Sequence, residues 1–253
     1  MTLLEATGLT KRFGELVAVR DVDFVVGEGE VLALIGSNGA GKTSLVNLVS
    51  GLLSPDAGRI AFDGADVTRT SVHERIDLGI ARSFQLVNLF DALTVLDNVA
   101  LPIFAREKRT RRLLALADRD LDVREEAMQV LTHFGLETKG YATAGGLSHG
   151  ERKLLDVAVA YALAPRLLLL DEPTSGVSTR EKAPIMDRIT AVVRSQRISA
   201  VIIEHDMDVV FRYADRIVVM HEGTVLADGP PAEIREHPQV NAVLLGKAVH
   251  ARG

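Results

Sequence analysis

The sequence contains no cysteine, has no excess of positive charge and has no long uninterrupted apolar run. Without cysteine the fold cannot depend on disulfide bonds or on a thiolate metal site, which is compatible with a reducing compartment. The formal net charge of -5 argues against a nucleic-acid-binding protein that works through one large basic face. These absences exclude cysteine redox chemistry and predict that nucleic acid is not a partner.

The most apolar stretch, residues 154–170, does not have the pattern of a membrane span. It is interrupted by Asp156, Pro165 and Arg166, whereas a lipid-spanning helix needs about 20 predominantly apolar residues. The first residues, MTLLEATGLTKRFG, lack an apolar segment preceded by basic residues, so no secretory signal is expected. Any role at a membrane is therefore expected to come through partner proteins.

What the sequence does contain is an alternation of short apolar runs with helical patterns. Residues 31–35 are unbroken apolar, which is typical of a strand covered on both faces, and residues 166–170 and 198–203 form two more short apolar runs. A helical pattern begins at Lys42 and ends at Gly51. The 253 residues suffice for one large domain with a sizeable core. The pattern predicts a parallel α/β sheet.

One segment differs in composition from the rest. Residues 91–146 are rich in Leu, Ala, Arg and Glu, which predicts a mostly helical subdomain inserted into an α/β core formed by residues 1–90 and 147–253. Within it, residues 106–112 read REKRTRR and contain five basic residues. This cluster is interpreted as a solvated helix surface, and contact with anionic lipid is the alternative.

A glycine-rich loop follows the first of these apolar strands. Residues 36–43 match the pattern G-x-x-x-x-G-K-[ST], in which backbone N–H groups wrap a phosphate at the start of a helix. Lys42 would neutralise the β- and γ-phosphates of ATP, and the Thr43 hydroxyl would ligate Mg²⁺. An accidental glycine-rich turn is the alternative. The predicted nucleotide-binding residues of the loop are Gly36, Ser37, Asn38, Gly39, Ala40, Gly41, Lys42 and Thr43.

Two adjacent acids end the apolar run that precedes residue 171. Asp171 is placed to hold the magnesium shell, and Glu172 to orient or deprotonate the water that attacks the γ-phosphate. The alternative is that both acids only cap the helix that follows Pro173. The glycine-rich loop upstream favours the catalytic interpretation.

Together with these motifs, a further segment makes the sequence resemble the ATP-binding-cassette (ABC) ATPases. Residues 147–151, Leu-Ser-His-Gly-Glu, are similar to the LSGGQ signature of that family and lie just before Asp171. Phe13, Gln85 and His205 stand at the family's adenine-stacking, metal-linking and phosphate-sensing positions. The resemblance covers nearly the whole chain.

The resemblance implies the rest of the architecture and of the site. The expected fold is an ABC-type phosphate-loop ATPase with a mainly parallel sheet core, an antiparallel β subdomain and the helical subdomain. Two subunits would close head to tail over two ATP molecules, with Ser148 and Gly150 contacting the γ-phosphate of the opposite site. His205 would sense the γ-phosphate within its own subunit, and Gln85 would join Thr43 and Asp171 at the metal.

Three positions depart from the family pattern. His149 replaces the first glycine of the signature, Glu151 replaces its glutamine, and Ser178 replaces the aspartate that usually follows the second acid. An imidazole at position 149 must point away from the phosphate or alter the contact with it. Ser178 lacks the aspartate's charge, so communication between the two ATP sites is expected to be weaker.

Residues 79–85, 89–99 and 204–207, together with the tail, look like the subgroup of branched-chain amino acid importers. The resemblance implies an energy-coupling subunit on the cytoplasmic face of the cell membrane. Its partners would be two permease subunits, a second ATPase subunit or a second copy of this chain, and indirectly a solute-binding protein. An importer of urea or amides and a catalytically weakened regulatory subunit remain alternatives. A soluble ABC protein of translation or DNA repair is disfavoured because no second cassette or long coiled-coil insertion is present.

Overall fold

In a computed structural model, residues 1–83, 89–107 and 121–245 are described. Ten strands lie within these ranges: β1 (Thr2–Phe13), β2 (Leu16–Gly27), β3 (Val31–Gly36), β4 (Ala57–Phe62), β5 (Ala65–Asp66), β6 (Ile80–Ser83), β7 (Leu167–Asp171), β8 (Ser199–Ile203), β9 (Arg216–His221) and β10 (Thr224–Gly229). The helices in the same ranges are α1 (Lys42–Ser50), α2 (Val72–Asp77), α3 (Val95–Arg106), α4 (Leu121–Phe134), α5 (His149–Tyr161), α6 (Thr179–Ser195), α7 (Met207–Tyr213), α8 (Pro231–Glu236) and the short α9 (Pro238–Val240).

The chain divides into two compact units. The first unit comprises Met1–Arg75 and the residues from Ser199 onward, and the second unit comprises Ile76–Ile198. The sequence prediction placed its boundaries elsewhere, around an inserted helical subdomain at residues 91–146. That subdomain stays a prediction, and residues 84–88 and 108–120, including most of the basic cluster, lie outside the described residues.

Two sheets build the first unit. One is antiparallel with the strand order β2-β1-β4-β5, and the other has the order β10-β9-β3-β8. In the second sheet β3 runs parallel to both β8 and β9, while β10 pairs with β9 in the antiparallel sense. Every residue of β3 and β8 is buried. This burial explains why these strands have continuous apolar runs in place of an alternating pattern.

A buried arginine closes the carboxyl end of α1 in the first unit. Arg75 is 1% exposed, and its guanidinium donates hydrogen bonds to the carbonyls of Leu48, Val49 and Val67. The last carbonyls of a helix have no partner within the helix. A cationic side chain at this end donates hydrogen bonds to them and interacts favourably with the helix dipole. Burial lowers the pKa of Arg75.

The second unit carries the parallel pair β6 and β7 together with α3, α4, α5 and α6. All five residues of β7 are buried, as its apolar sequence predicts. Pro102 and Pro184 lie inside α3 and α6. None of the helices within the described residues combines the length and the hydropathy that a membrane span requires.

Candidate functional site

The glycine-rich loop lies between β3 and α1 in the first unit, as predicted from the sequence. Gly41 caps α1 with φ 101°, and a Cβ on this residue would lie 2.3 Å from the Ala18 carbonyl oxygen. A Cβ on Gly36 would lie 2.3 Å from the Met220 carbonyl oxygen. Both glycines are therefore required by the packing of the loop against its neighbours, before any ligand is considered.

Lys42 folds back over this loop. Its side chain is buried, and Nζ donates hydrogen bonds to the carbonyls of Gly36 at 2.8 Å and Ser37 at 3.1 Å. Thr43 is exposed in the first turn of α1, a helix of nine residues whose amino end opens at the loop. A cation and the positive end of a helix dipole thus converge where a phosphate is expected.

His205 lies at the edge of the same region of the first unit. Glu204 is 4% exposed, and its Oε2 accepts a hydrogen bond from the backbone N–H of His205 at 3.1 Å. A cavity of about 290 Å³ is bordered by the loop, by the residues that follow β8 and by the end of the described chain. Its lining residues are Ile35, Gly36, Ser37, Asn38, Glu204, His205, Met207, Val243 and Leu244. The structure therefore brings the predicted phosphate sensor and the loop to one cavity.

Val243 and Leu244 at this cavity were not predicted as site residues. They belong to the segment Asn241–Leu245, which follows α9. Leu244 packs against a core cluster of the first unit that includes Ile35 and Ile234. An apolar tail close to the chain end gives little signal in a single sequence, because its position depends on tertiary packing.

Phe13 ends β1 in the first unit, and its side chain is 48% exposed. The Lys11 ammonium lies 5.8 Å from the centroid of its ring. Lys11 Nζ lies 3.0 Å from Asp56 Oδ1. Hydrogen bonds from the backbone N–H of Arg12 and from Lys11 lower the pKa of the Asp56 carboxyl. An exposed aromatic ring offers a face on which a planar base can stack.

Asp171 and Glu172 lie at the carboxyl end of β7 in the second unit. Asp171 is 5% exposed, and its Oδ2 accepts a hydrogen bond from Nη2 of Arg82 at 2.6 Å. Glu172 has φ 49°, an uncommon conformation for a residue with a side chain. Lys153 from α5 donates to the Glu172 carbonyl at 3.2 Å and to Ser175 Oγ at 3.0 Å. Its buried ammonium thus holds the turn after the two acids.

The signature residues begin α5 in the second unit. Ser148 is the N-cap, and the backbone N–H of Glu151 donates to Ser148 Oγ while the backbone N–H of Ser148 donates to Glu151 Oε2. Lys139 Nζ lies 2.7 Å from Glu151 Oε1. The hydrogen bond from Lys139, and after it the hydrogen bonds from Ser148, lower the pKa of the Glu151 carboxyl. Because a capping box accepts Glu or Gln at this position, Glu151 keeps the geometry that a glutamine would give. Gly150 is buried in the first turn.

The His149 imidazole lies against Gly176, in the segment that follows the two acids. A Cβ built on Gly176, where φ is 75°, would meet His149 Nε2 at 2.6 Å. Ser178 is the N-cap of α6, and its Oγ donates to Glu181 Oε2 at 2.6 Å. Hydrogen bonds from Ser178 lower the pKa of Glu181, and the charge of His149 contributes.

The predicted site residues fall into two groups. Phe13, the glycine-rich loop and His205 belong to the first unit, whereas Ser148, Gly150, Asp171 and Glu172 belong to the second. Gln85 lies outside the described residues. Arg82 and Lys153 were not predicted, because single basic residues in a strand or helix resemble ordinary surface charges in a sequence.

Comparison with known proteins places the chain in a family. Residues 19–175 match the family model described as ABC transporter. The "High-affinity branched-chain amino acid transport ATP-binding protein BraF" of Pseudomonas aeruginosa is 36% identical over 97% of this chain and 98% of its own length. The "Lipopolysaccharide export system ATP-binding protein LptB" of Acidithiobacillus ferridurans is 34% identical over 96% of this chain and 97% of its own length.

The fold matches solved structures of ATP-binding cassettes. A crystal structure of the ADP conformation of an ATP-binding cassette of an ABC transporter is similar with a TM-score of 0.87 and 29% identity. The similarity covers 97% of this chain and 99% of that chain. The predicted ABC-type α/β fold is thereby confirmed.

Proposed function

The chain belongs to the ABC transporter family, and from this premise we propose that it powers an importer of branched-chain or related amino acids. ABC cassettes bind and hydrolyse ATP, so the chain is an ATP hydrolase. The observation that carries the ATP-driven part of the proposal is the phosphate loop. It combines two glycines that have no room for a Cβ with a buried lysine at the amino end of α1.

ATP is proposed to bind along this loop. The Lys42 ammonium would exchange its bonds to the Gly36 and Ser37 carbonyls for bonds to the β- and γ-phosphates. Backbone N–H groups at the start of α1 would donate to the same phosphates. The exposed ring of Phe13 would stack on the adenine.

Mg²⁺ is proposed to be held by Thr43 and Asp171, with Gln85 as a further ligand. Within the described ranges no three histidine or acidic side chains cluster closely enough to hold a metal ion alone. A set of one hydroxyl, one carboxylate and one amide fits Mg²⁺, because this ion usually binds only one or two protein carboxylates and takes its other ligands from phosphates and water. When bound, the ion would supply charge neutralisation at the phosphate oxygens.

Glu172 is the proposed general base for the attacking water, and His205 the proposed sensor of the γ-phosphate. The Lys153 ammonium bonded to the Glu172 carbonyl supports this role, because it fixes the turn from which the carboxylate projects. A positioned carboxylate is worth about 10²–10⁴-fold in rate as a general base.

The complete site is proposed to form between two subunits. Ser148 and the Gly150 backbone would approach the γ-phosphate bound by the opposite subunit, as the exposed amino end of α5 suggests. The partners would be a second ATPase subunit or a second copy of this chain, two permease subunits and, indirectly, a solute-binding protein. This assembly would place the chain peripherally on the cytoplasmic face of the membrane.

The class of solute rests on the relatives. BraF is named for branched-chain amino acid transport, and an archaeal relative from Archaeoglobus fulgidus with 35% identity carries a similar name. The LptB relative, at 34% identity, is named for lipopolysaccharide export, so identity alone does not fix the direction of transport. Import of urea or amides is the other solute class that the sequence leaves open.

The Glu172→Gln variant tests the catalytic assignment. ATP binding is expected to stay within twofold of the wild type, while steady-state hydrolysis falls by at least about 100-fold. Glu137→Gln, an exposed glutamate of the second unit, is the matched control and should leave turnover unchanged. Undiminished hydrolysis in Glu172→Gln would rule out Glu172 as the base.

Purification from membranes tests the transporter assignment. A tagged chain should co-purify with two permease subunits, and hydrolysis that is low for the isolated chain should rise when they are present. Uptake of radiolabelled leucine into vesicles reconstituted with the purified complex separates import from export. Very low hydrolysis with the full complex would instead favour the catalytically weakened regulatory subunit.

A further inference from the structure

Arg82 and Asp171 form a buried ion pair at the carboxyl ends of two neighbouring strands. β6 and β7 run parallel, with Arg82 opposite Leu169. Asp171 lies two residues further along β7, so it projects to the same face of the sheet as Leu169. The Arg82 and Asp171 side chains are 8% and 5% exposed, and Nη2 lies 2.6 Å from Oδ2. Both charges are therefore largely removed from water.

Other ion pairs of the second unit lie in a different environment. Arg106 and Glu126 are 29% and 36% exposed, and Arg152 and Asp91 are 22% and 63% exposed. Pairs with that much exposure contribute little to stability and are common on surfaces. Stability alone does not account for a buried ion pair, because the attraction between the charges hardly exceeds the cost of removing both from water.

The bond to Arg82 leaves Asp171 equipped for a second partner. It occupies Oδ2, and a carboxylate presents two oxygens with about four acceptor directions. In parallel α/β sheets the carboxyl ends of the strands are also where ligands bind. The guanidinium thus orients the carboxylate through Oδ2, and Oδ1 is the second oxygen of the same group at the edge where the magnesium ligand is proposed.

We infer that Arg82 is a positioning residue for the magnesium site, which orients Asp171 through Oδ2 so that Oδ1 could serve as the metal ligand. This inference rests on the proposed ATPase function. Partners that orient a metal ligand typically contribute 10–100-fold to metal affinity.

The test compares Arg82→Met and Arg82→Lys with the wild type. Two quantities are measured: the affinity for a fluorescent non-hydrolysable ATP analogue in EDTA and in Mg²⁺, and the free Mg²⁺ concentration that half-saturates hydrolysis. Arg82→Met is expected to bind the analogue in EDTA within twofold of the wild type and to need about tenfold more Mg²⁺. Arg82→Lys keeps the charge without the planar fork and should need about threefold more.

Arg106→Met is the matched control, because it removes an arginine from an ion pair of the same unit. Its Mg²⁺ requirement should equal that of the wild type. Arg82→Met with an unchanged Mg²⁺ requirement overturns the inference. If that variant does not fold by circular dichroism, Arg82→Lys decides, and an unchanged requirement there overturns the inference equally. A wild type that binds no analogue in either condition would instead reject the proposed function.

Discussion

The phosphate loop and the signature segment are held in place by different means. In the loop, carbonyl oxygens 2.3 Å from any Cβ force glycine at positions 36 and 41, and the lysine is buried. In the signature segment Ser148 and His149 are exposed while Leu147 and Gly150 are buried, and reciprocal hydrogen bonds between Ser148 and Glu151 fix the helix end. The conformation of the loop is therefore fixed by contacts within its own unit. The signature is the surface that is proposed to face another subunit.

Gly41→Ala should break the loop side of this comparison most severely. The new Cβ would collide with the Ala18 carbonyl, and the residue would be strained at φ 101°. Nucleotide affinity is expected to fall at least about 1,000-fold, roughly 4 kcal/mol, because the N–H groups at the start of α1 lose their positions. Gly64→Ala, where φ is 76° and nothing lies within 4 Å, is the matched control for strain alone. Fluorescence titration of an ATP analogue measures both, and equal affinities would contradict the steric argument.

Arg75→Met tests how much the carboxyl end of α1, the helix that begins at the loop, contributes to the free energy of unfolding. The substitution leaves the carbonyls of Leu48, Val49 and Val67 without their buried donor. The free energy of unfolding is expected to fall by about 3 kcal/mol. Arg59→Met, which removes a 62% exposed arginine paired with Asp66, should cost under about 1 kcal/mol. Urea denaturation compares the two, and similar losses would show that burial of Arg75 is unimportant.

The contact between His149 and Gly176 allows a test of how tightly the signature segment is packed. Gly176→Ala should cost about 1–2 kcal/mol, from the strain at φ 75° and the contact with Nε2. In a His149→Gly background only the strain should remain. A double-mutant cycle on the free energy of unfolding is therefore expected to give a coupling of about 0.5–1 kcal/mol. Additive effects would mean that the imidazole moves aside at no cost.

Glu151 should give the smallest effect, and one that depends on pH. Its pKa in the folded chain is lowered, first by Lys139 and then by Ser148, so its stabilisation is present above the unfolded pKa. That stabilisation is lost as the pH falls through the folded pKa. Glu151→Gln keeps the capping box without the charge, so the wild type should be more stable by about 0.5 kcal/mol at pH 7. The difference should shrink as the pH falls through the lowered pKa of Glu151, and a constant difference would exclude the ionic contribution.

Sequence patterns predicted the parts of the fold that depend on local order. β3, β7 and α1 were predicted because continuous apolar runs and a glycine-rich loop are contiguous in the chain. The partners of the site residues were not, because they come from distant positions. Arg75, Arg82 and Lys153 look like surface charges in the sequence, and only tertiary packing shows that their side chains are largely removed from water.

The departures in the signature illustrate the same limit. Glu151 was interpreted as a departure, and the structure gives a local reason why it is compatible with the family geometry: a capping box accepts either residue. His149 was predicted to point away from the phosphate or alter its contact. Its lateral contact with Gly176 depends on a loop 27 positions further along the chain, a spacing that no periodicity reveals.

The bonds from Lys42 to the Gly36 and Ser37 carbonyls bear on selectivity among anions. A lysine that already has acceptors gains little from an anion with a single weak acceptor, such as chloride, because one hydrogen bond merely replaces another. A triphosphate offers several charged oxygens at once and can outcompete both carbonyls together. The resting loop therefore discriminates by the number of acceptors that a ligand brings, before the rest of the nucleotide is recognised.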